Sequence, residues 1–141
     1  MANAKYELLT TETKTIAGHK LFRIRALVAI GNDVAIDDIG GYVESEKNLS
    51  DNGNAWVYDD AQVSGNALVN GNARIYGNAR VHNNAWVSGD AWVSGDAEIY
   101  GNARVNGNAW VYGNAQVYNN ALVNGTARVY GNTRVYESEI V

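Results

Sequence analysis

Few side chains in this sequence can move protons near neutral pH. The 141 residues hold two histidines, His19 and His82, and no cysteine, and histidine is the residue whose ordinary titration falls in that range. General-base chemistry needs an imidazole, a carboxylate to orient it and room for a substrate. His82 is a weak catalytic candidate on those terms, with Glu98 as the conceivable orienting group. His19 follows Ala17-Gly18 and reads as a turn residue. Two distant histidines without cysteine form no ligand cluster, so no metal is expected. Asp90 and Asp96 recur in a duplicated AWVSGD and read as turn formers. No glycine-rich stretch opens a helical pattern, so no phosphate loop and no cofactor are expected. The reading is of a non-enzymatic protein.

The elements that would position these groups come from a repeat. From Gly53 onward the pattern G-N-A-x-V-x recurs every six residues without insertion. Alanine fills its slot from Ala55 to Ala127, Thr133 takes the next, and two residues after each stands a Val or Ile, from Val57 to Val135. A period of six cannot keep one face of a 3.6-residue helix inward, whereas Ala-x-Val has the two-residue period of a strand. The residue between them must face outward. The first corner slot holds Gly in eleven of fourteen hexads, with Asp59, Asn83 and Asn119 in the rest; the second holds Asn or Asp everywhere but Thr126. All of these but Thr126 tolerate left-handed backbone angles, so each hexad reads as a short strand and a tight corner. Such units wind into a parallel β-helix, each coil giving ladder partners to the next.

Residues 51–141 are thus the repeat domain, and residues 1–50 read as an N-terminal β-hairpin or small-sheet cap, with Gly40-Gly41 as a tight turn leading into the first coil. The segments LFRIRAL (21–27), DIGGYVESEKNLS (38–50) and GNAWVYDDAQV (53–63) resemble an arrangement in phage, prophage and bacterial hexapeptide-repeat proteins of the YdcK-like group, which carry labels such as polymer-forming or hexapeptide transferase. The resemblance implies an all-β, left-handed parallel β-helix with three hexads per triangular coil. Fourteen hexads then give about 4.7 coils, or roughly 22 Å of axis at about 4.8 Å per stacked strand. It also implies a rival activity, a trimeric hexapeptide acyltransferase with a histidine base at the subunit interface, for which His82 is the candidate. No hexad here is interrupted by the loop such enzymes project.

Every third hexad falls on one side of the prism. The first side carries Trp56, Arg74, Trp92, Trp110 and Arg128 outward, with Tyr58, Tyr76, Ser94, Tyr112 and Tyr130 at the following corners. The second carries Gln62, Arg80, Glu98, Gln116 and Arg134, with Ser64, His82, Tyr100, Tyr118 and Tyr136 at its corners; the third carries Leu68, Trp86, Arg104 and Leu122. All four tryptophans fall in solvent-facing slots, and Trp, Tyr and Arg dominate protein interfaces. The first side is therefore the candidate partner-binding surface, set against the plainer reading that Arg merely stacks on Trp for ~0.5–1 kcal/mol a pair. The third side, with Ile140 and Val141 at an uncovered end coil, is the candidate contact of a homo-oligomer, and Glu137 and Glu139 read as charged gatekeepers of that end.

Charge and hydropathy narrow the partners. The net charge is −4, and residues 51–141 hold five Arg and no Lys against eight acids, which opposes the positive groove that nucleic acid needs. No apolar run approaches the ~20 residues of a membrane span. The expected partner is a protein, self or host, in the cytoplasm or a particle assembled there. The expected role is a rigid scaffold or interaction module, with a phage host-interaction or anti-defence inhibitor as the alternative. Phage or prophage origin rests on the resemblance alone.

Overall fold

The computed structural model describes residues 4–136 and 139–140. Strand β1 (Tyr6–Ile16) pairs antiparallel with β2 (His19–Ala26), and the hairpin closes at Ile16↔His19. Ala17 and Gly18, at φ 50° and 82°, supply the two left-handed residues of a tight hairpin turn whose twist matches its strands. A bulge between Leu9 and Thr13 shifts the register of β1. Strand β3 (Ile39–Val43) pairs antiparallel with β2 and then parallel with Gln62–Val63. The cap is thereby continuous with one side of the prism, as an eight-stranded sheet beside two of five strands.

Beyond β3 the described strands are two residues long, and the ladder Trp56↔Arg74↔Trp92↔Trp110↔Arg128 steps by a full coil each time. The Ala slots to Ala127 and the Val slots to Val135 form the core, at 0–6 % exposure, while Thr133 in the last Ala slot is exposed. All fourteen first corner slots have positive φ, the Gly ones and Asp59, Asn83 and Asn119 alike, whereas no second slot does. That is why Thr126 is tolerated. Bonds such as Ala67 N–H to Ser64 O, 3.2 Å, close each turn. Glycine also permits close stacking of corners, since a Cβ on Gly101 would stand 2.7 Å from Asn119 N.

The expectation of a Gly40-Gly41 turn is corrected: both lie inside β3. A Cβ on Gly40 would meet Val57 O at 2.6 Å and one on Gly41 would meet Ala61 O at 2.5 Å, so the pair serves close backbone approach. Parallel pairing also begins earlier than residue 51. Val43 pairs with Val63, Leu49 bridges to Val69, and buried Asn48 donates to Ala67 O at 2.9 Å while its Oδ1 accepts from Glu44 and Ser45 N–H. Val43, Leu49 and Val57 thus form a first layer whose last step carries two extra residues.

Trp56 N–H donates to Ala73 O and Tyr58 N–H to Ile75 O of the next coil, so the carbonyls in the equivalent slots of the first coil, such as Ala55 O, point toward the cap. The cap answers with side-chain donors. Lys5 Nζ reaches Ser50 O at 2.9 Å and Ala55 O at 2.7 Å, Tyr6 Oη reaches Leu49 O at 2.6 Å, and Arg23 reaches Gly40 O and Asp59 O at 2.9 Å. At the other end, Val123 pairs with Ile140 and Leu122 with Glu139, one residue short of the coil repeat. Ile140, not Val141, therefore takes the ladder position of the Val column. Val141 and Glu137 lie outside the described residues.

Candidate functional site

On the first side, the ladder packs as rings and guanidinium groups in a column. Trp92 and Trp110 stack at 5.0 Å with 2° between planes, Arg74 lies 5.4 Å over Trp92, and Arg128 lies 5.0 Å over Trp110. The aromatic faces are spent within the column, and solvent meets ring edges. Arg74 is also held by Asp33 at 2.9 Å. Trp56 is a correction to the expected partner surface: it is 1 % exposed. The cap covers it, with Tyr6 edge-on at 6.2 Å and Gly40 against its ring. Its slot faces outward, as the period requires, but the N-terminal sheet lies over that slot.

The corner column beside it is interrupted. Tyr58 stacks on Tyr76 at 4.6 Å and Tyr112 on Tyr130 at 5.4 Å, and between these pairs stands Ser94. The missing ring leaves a cleft of about 300 Å³ lined by Trp92, Ser94, Trp110 and Tyr112. Burial pushes the Tyr58 hydroxyl up to about 12, with neighbouring Tyr76 and Asp33 adding to it and Arg74 opposing. Exposure along the prism is graded: Trp110 and Tyr130, at 37 % and 56 %, lie far from the cap. On the third side Arg104 lies 5.1 Å over Trp86, which is 45 % exposed, and Leu68 and Leu122 are half-buried in the same ladder.

The second side brings His82 and Glu98 together. His82 Nε2 lies 2.7 Å from Glu98 Oε2 and Nδ1 lies 3.3 Å from Asn83 Oδ1. Its ring stacks on Tyr100 at 5.2 Å, and the column continues through Tyr118 and Tyr136. A base and an orienting carboxylate are therefore present. Sequence reasoning missed that His19 lines the same cleft, brought there by the hairpin tip. Its signal was the Ala17-Gly18 turn, which fixes the tip but not where the tip docks. His19 Nδ1 lies 2.9 Å from Glu44 Oε2, and Gly65 N–H donates to Glu44 Oε1. Burial raises the Glu44 carboxyl, but these two contacts outweigh it and hold it below its ordinary value. Asp90 accepts from Asn72 at a corner, and among the described residues no three His, Cys, Asp or Glu gather as a metal site. Nor is any described helix long and apolar enough to cross a membrane.

A family model described as YdcK Beta solenoid repeat matches residues 61–74, 73–89, 97–113 and 115–126. The repeat tract is a β-solenoid that is similar to the YdcK repeat over those segments. No match to a curated protein accompanies it. The matched segments lie within the hexads and leave out the cap. The YdcK-like likeness thus speaks for the coil, and the surfaces must be argued from their own side chains.

Proposed function

We propose that the protein is a non-catalytic, rigid interaction or scaffold module that self-associates, binds a protein partner through the first side of its YdcK-like solenoid, or does both. The observation that carries this is the Ser94 gap, which opens an apolar cleft between Trp92, Trp110 and Tyr112. Internal stacking accounts for the ring faces; it gives no reason to leave a ring out where an aromatic anchor from a partner would fit. The third side, around Trp86, is the proposed contact for self-association. A cytoplasmic setting, phage or prophage origin and a role as scaffold or as inhibitor of a bacterial host protein are further parts of the proposal, the origin resting on the family resemblance.

The test is absolute mass by light scattering after size exclusion, over a range of concentrations, for the wild type, Trp110→Ser and Trp86→Ser. A discrete oligomer or growing mass that Trp86→Ser reduces supports self-association through the third side. A monomer at all concentrations refutes self-association, and the first side then requires a foreign partner.

The His82–Glu98 contact favours a second reading, the acyltransferase. It predicts coenzyme A binding and acyl transfer lost in His82→Ala. Acyl transfer unchanged in that variant, or absence of coenzyme A binding, removes it.

A further inference from the structure

We propose that the cleft between the β1–β2 hairpin tip and the second side of the solenoid binds a small ligand through an oxyanion, a carboxylate or phosphate, seated on Arg80. This lies on a different side from the protein-binding surface and stands independently of it.

The cleft encloses about 350 Å³, with Ile16, Ala17 and His19 as the overhanging wall and Gln62, Ser64 and Arg80 among its floor residues. That is at the lower end of the range for small-molecule sites. A second cleft of about 430 Å³ shares Ile16, Gln62 and Arg80 and continues to Lys14 and Asp96. The two form one trench under the hairpin, with Arg80 at its middle.

The charge pattern is the argument. Glu98 sits beside Arg80 in the ladder, as its strand partner, and would ordinarily neutralise it. It turns instead to His82, at 2.7 Å. Glu44 is taken by His19 and Asp60 by Arg23, at 2.9 and 2.7 Å. Among the described residues Arg80 makes no ion pair and no side-chain hydrogen bond, and neither Gln62 nor Ser64 makes a side-chain hydrogen bond. Three donor-bearing side chains thus line one volume without protein acceptors, while Glu98, Glu44 and Asp60 each meet another side chain and Asp96 lines only the second cleft. A guanidinium presents paired N–H groups that match two oxygens of a carboxylate or phosphate. Ser64 and Gln62 add neutral donors, and Ile16 supplies the apolar wall against which the body of the ligand would lie.

The experiment is amide NMR of the full chain, titrated separately with inorganic phosphate and with glucuronate at fixed ionic strength. The proposal expects saturable shifts at Gln62, Ser64 and Gly65 with at least one probe. Arg80→Gln should weaken the apparent affinity about tenfold or more, the loss expected for a charge-assisted hydrogen bond. Arg80→Lys should fall between, and Arg104→Gln, an arginine on the third side, should leave it unchanged. Arg80 is exposed, so these variants should keep the dispersion of the native spectrum. Saturation by phosphate alone assigns a phosphate ligand, and by glucuronate alone a carboxylate. Absence of saturable shifts with both probes, or equal weakening by Arg104→Gln, overturns the proposal.

Discussion

Lys5 is 5 % exposed and donates to two carbonyls of the first coil. Burial lowers its ammonium from 10.5 to about 8, with Asp51 opposing the shift. Between those two values the unfolded chain keeps a proton that the folded chain has released. Stability therefore rises with pH across the window from about 8 to 10.5. A full shift of this size corresponds to about 3 kcal/mol, and water sharing the ammonium reduces it to roughly 1–3 kcal/mol. Tyr58 acts in the opposite sense. Its pKa is raised from 10 to about 12, so its contribution is whole below pH 10 and is lost as pH climbs toward 12. Urea unfolding followed by tryptophan fluorescence from pH 7.5 to 10 isolates the lysine. The wild type should gain stability over that range, and Lys5→Met should be flat there. Lys5→Met should also be less stable at pH 10, where the neutral amine still donates to carbonyls that methionine leaves bare at ~1–3 kcal/mol each. A flat wild-type profile, or the same slope in Lys5→Met, would refute the assignment of Lys5 as a buried donor capping the solenoid.

Other variants probe the remaining layers. Gly41→Ala places a Cβ 2.5 Å from Ala61 O and 2.7 Å from the core side-chain atom Val57 Cγ1, and the Ala61 carbonyl cannot yield without breaking the parallel ladder. It should cost ~3 kcal/mol or more, measured by denaturant unfolding. Trp110→Ser removes one stacked tryptophan pair, an edge-on contact with Tyr112 and one cation–π contact, so stability should fall by roughly 1–3 kcal/mol in the same assay. If the first side also serves a partner, the complex should weaken by more than that loss. Equal effects on folding and association would leave stacking as the whole purpose of the column.

The coil was legible because its causes are periodic. Ala and Val recur at the spacing of a strand, Gly or Asn marks each corner, and the same arithmetic that makes Val57 inward places Trp92 over Trp110 a coil later. Even the departures obey local rules: Asn83 and Asn119 carry the same positive φ as the glycines they replace. Legibility ended where the cap begins. Trp56 has the outward slot of any hexad, and nothing in its hexad tells that Tyr6 will lie edge-on against it. Gly40-Gly41 looked like a turn because adjacent glycines relax backbone angles, whereas here their missing Cβ atoms matter. Contacts of this kind join residues far apart in the chain, and no period records them.

The same distinction explains where the oxyanion cleft arises. A solenoid alone would offer repeated, nearly equivalent sides, and Arg80 would be one outward arginine among several. The ladder also gives Arg80 a carboxylate neighbour in Glu98, and side chains directly opposite on adjacent strands normally pair. Two additions break that equivalence. His82 at the corner draws Glu98 away, at 2.7 Å, and the hairpin tip places Ile16 and His19 over the resulting vacancy. Glu44, which would otherwise reach for a cation, is held by His19 and by the Gly65 N–H. Arg80 is thus left without a direct partner by a contact within the coil, and it is the cap that encloses it. The cap therefore does more than satisfy the carbonyls of the first coil: it turns one side of an otherwise uniform prism into an enclosure around a guanidinium that has no direct protein partner.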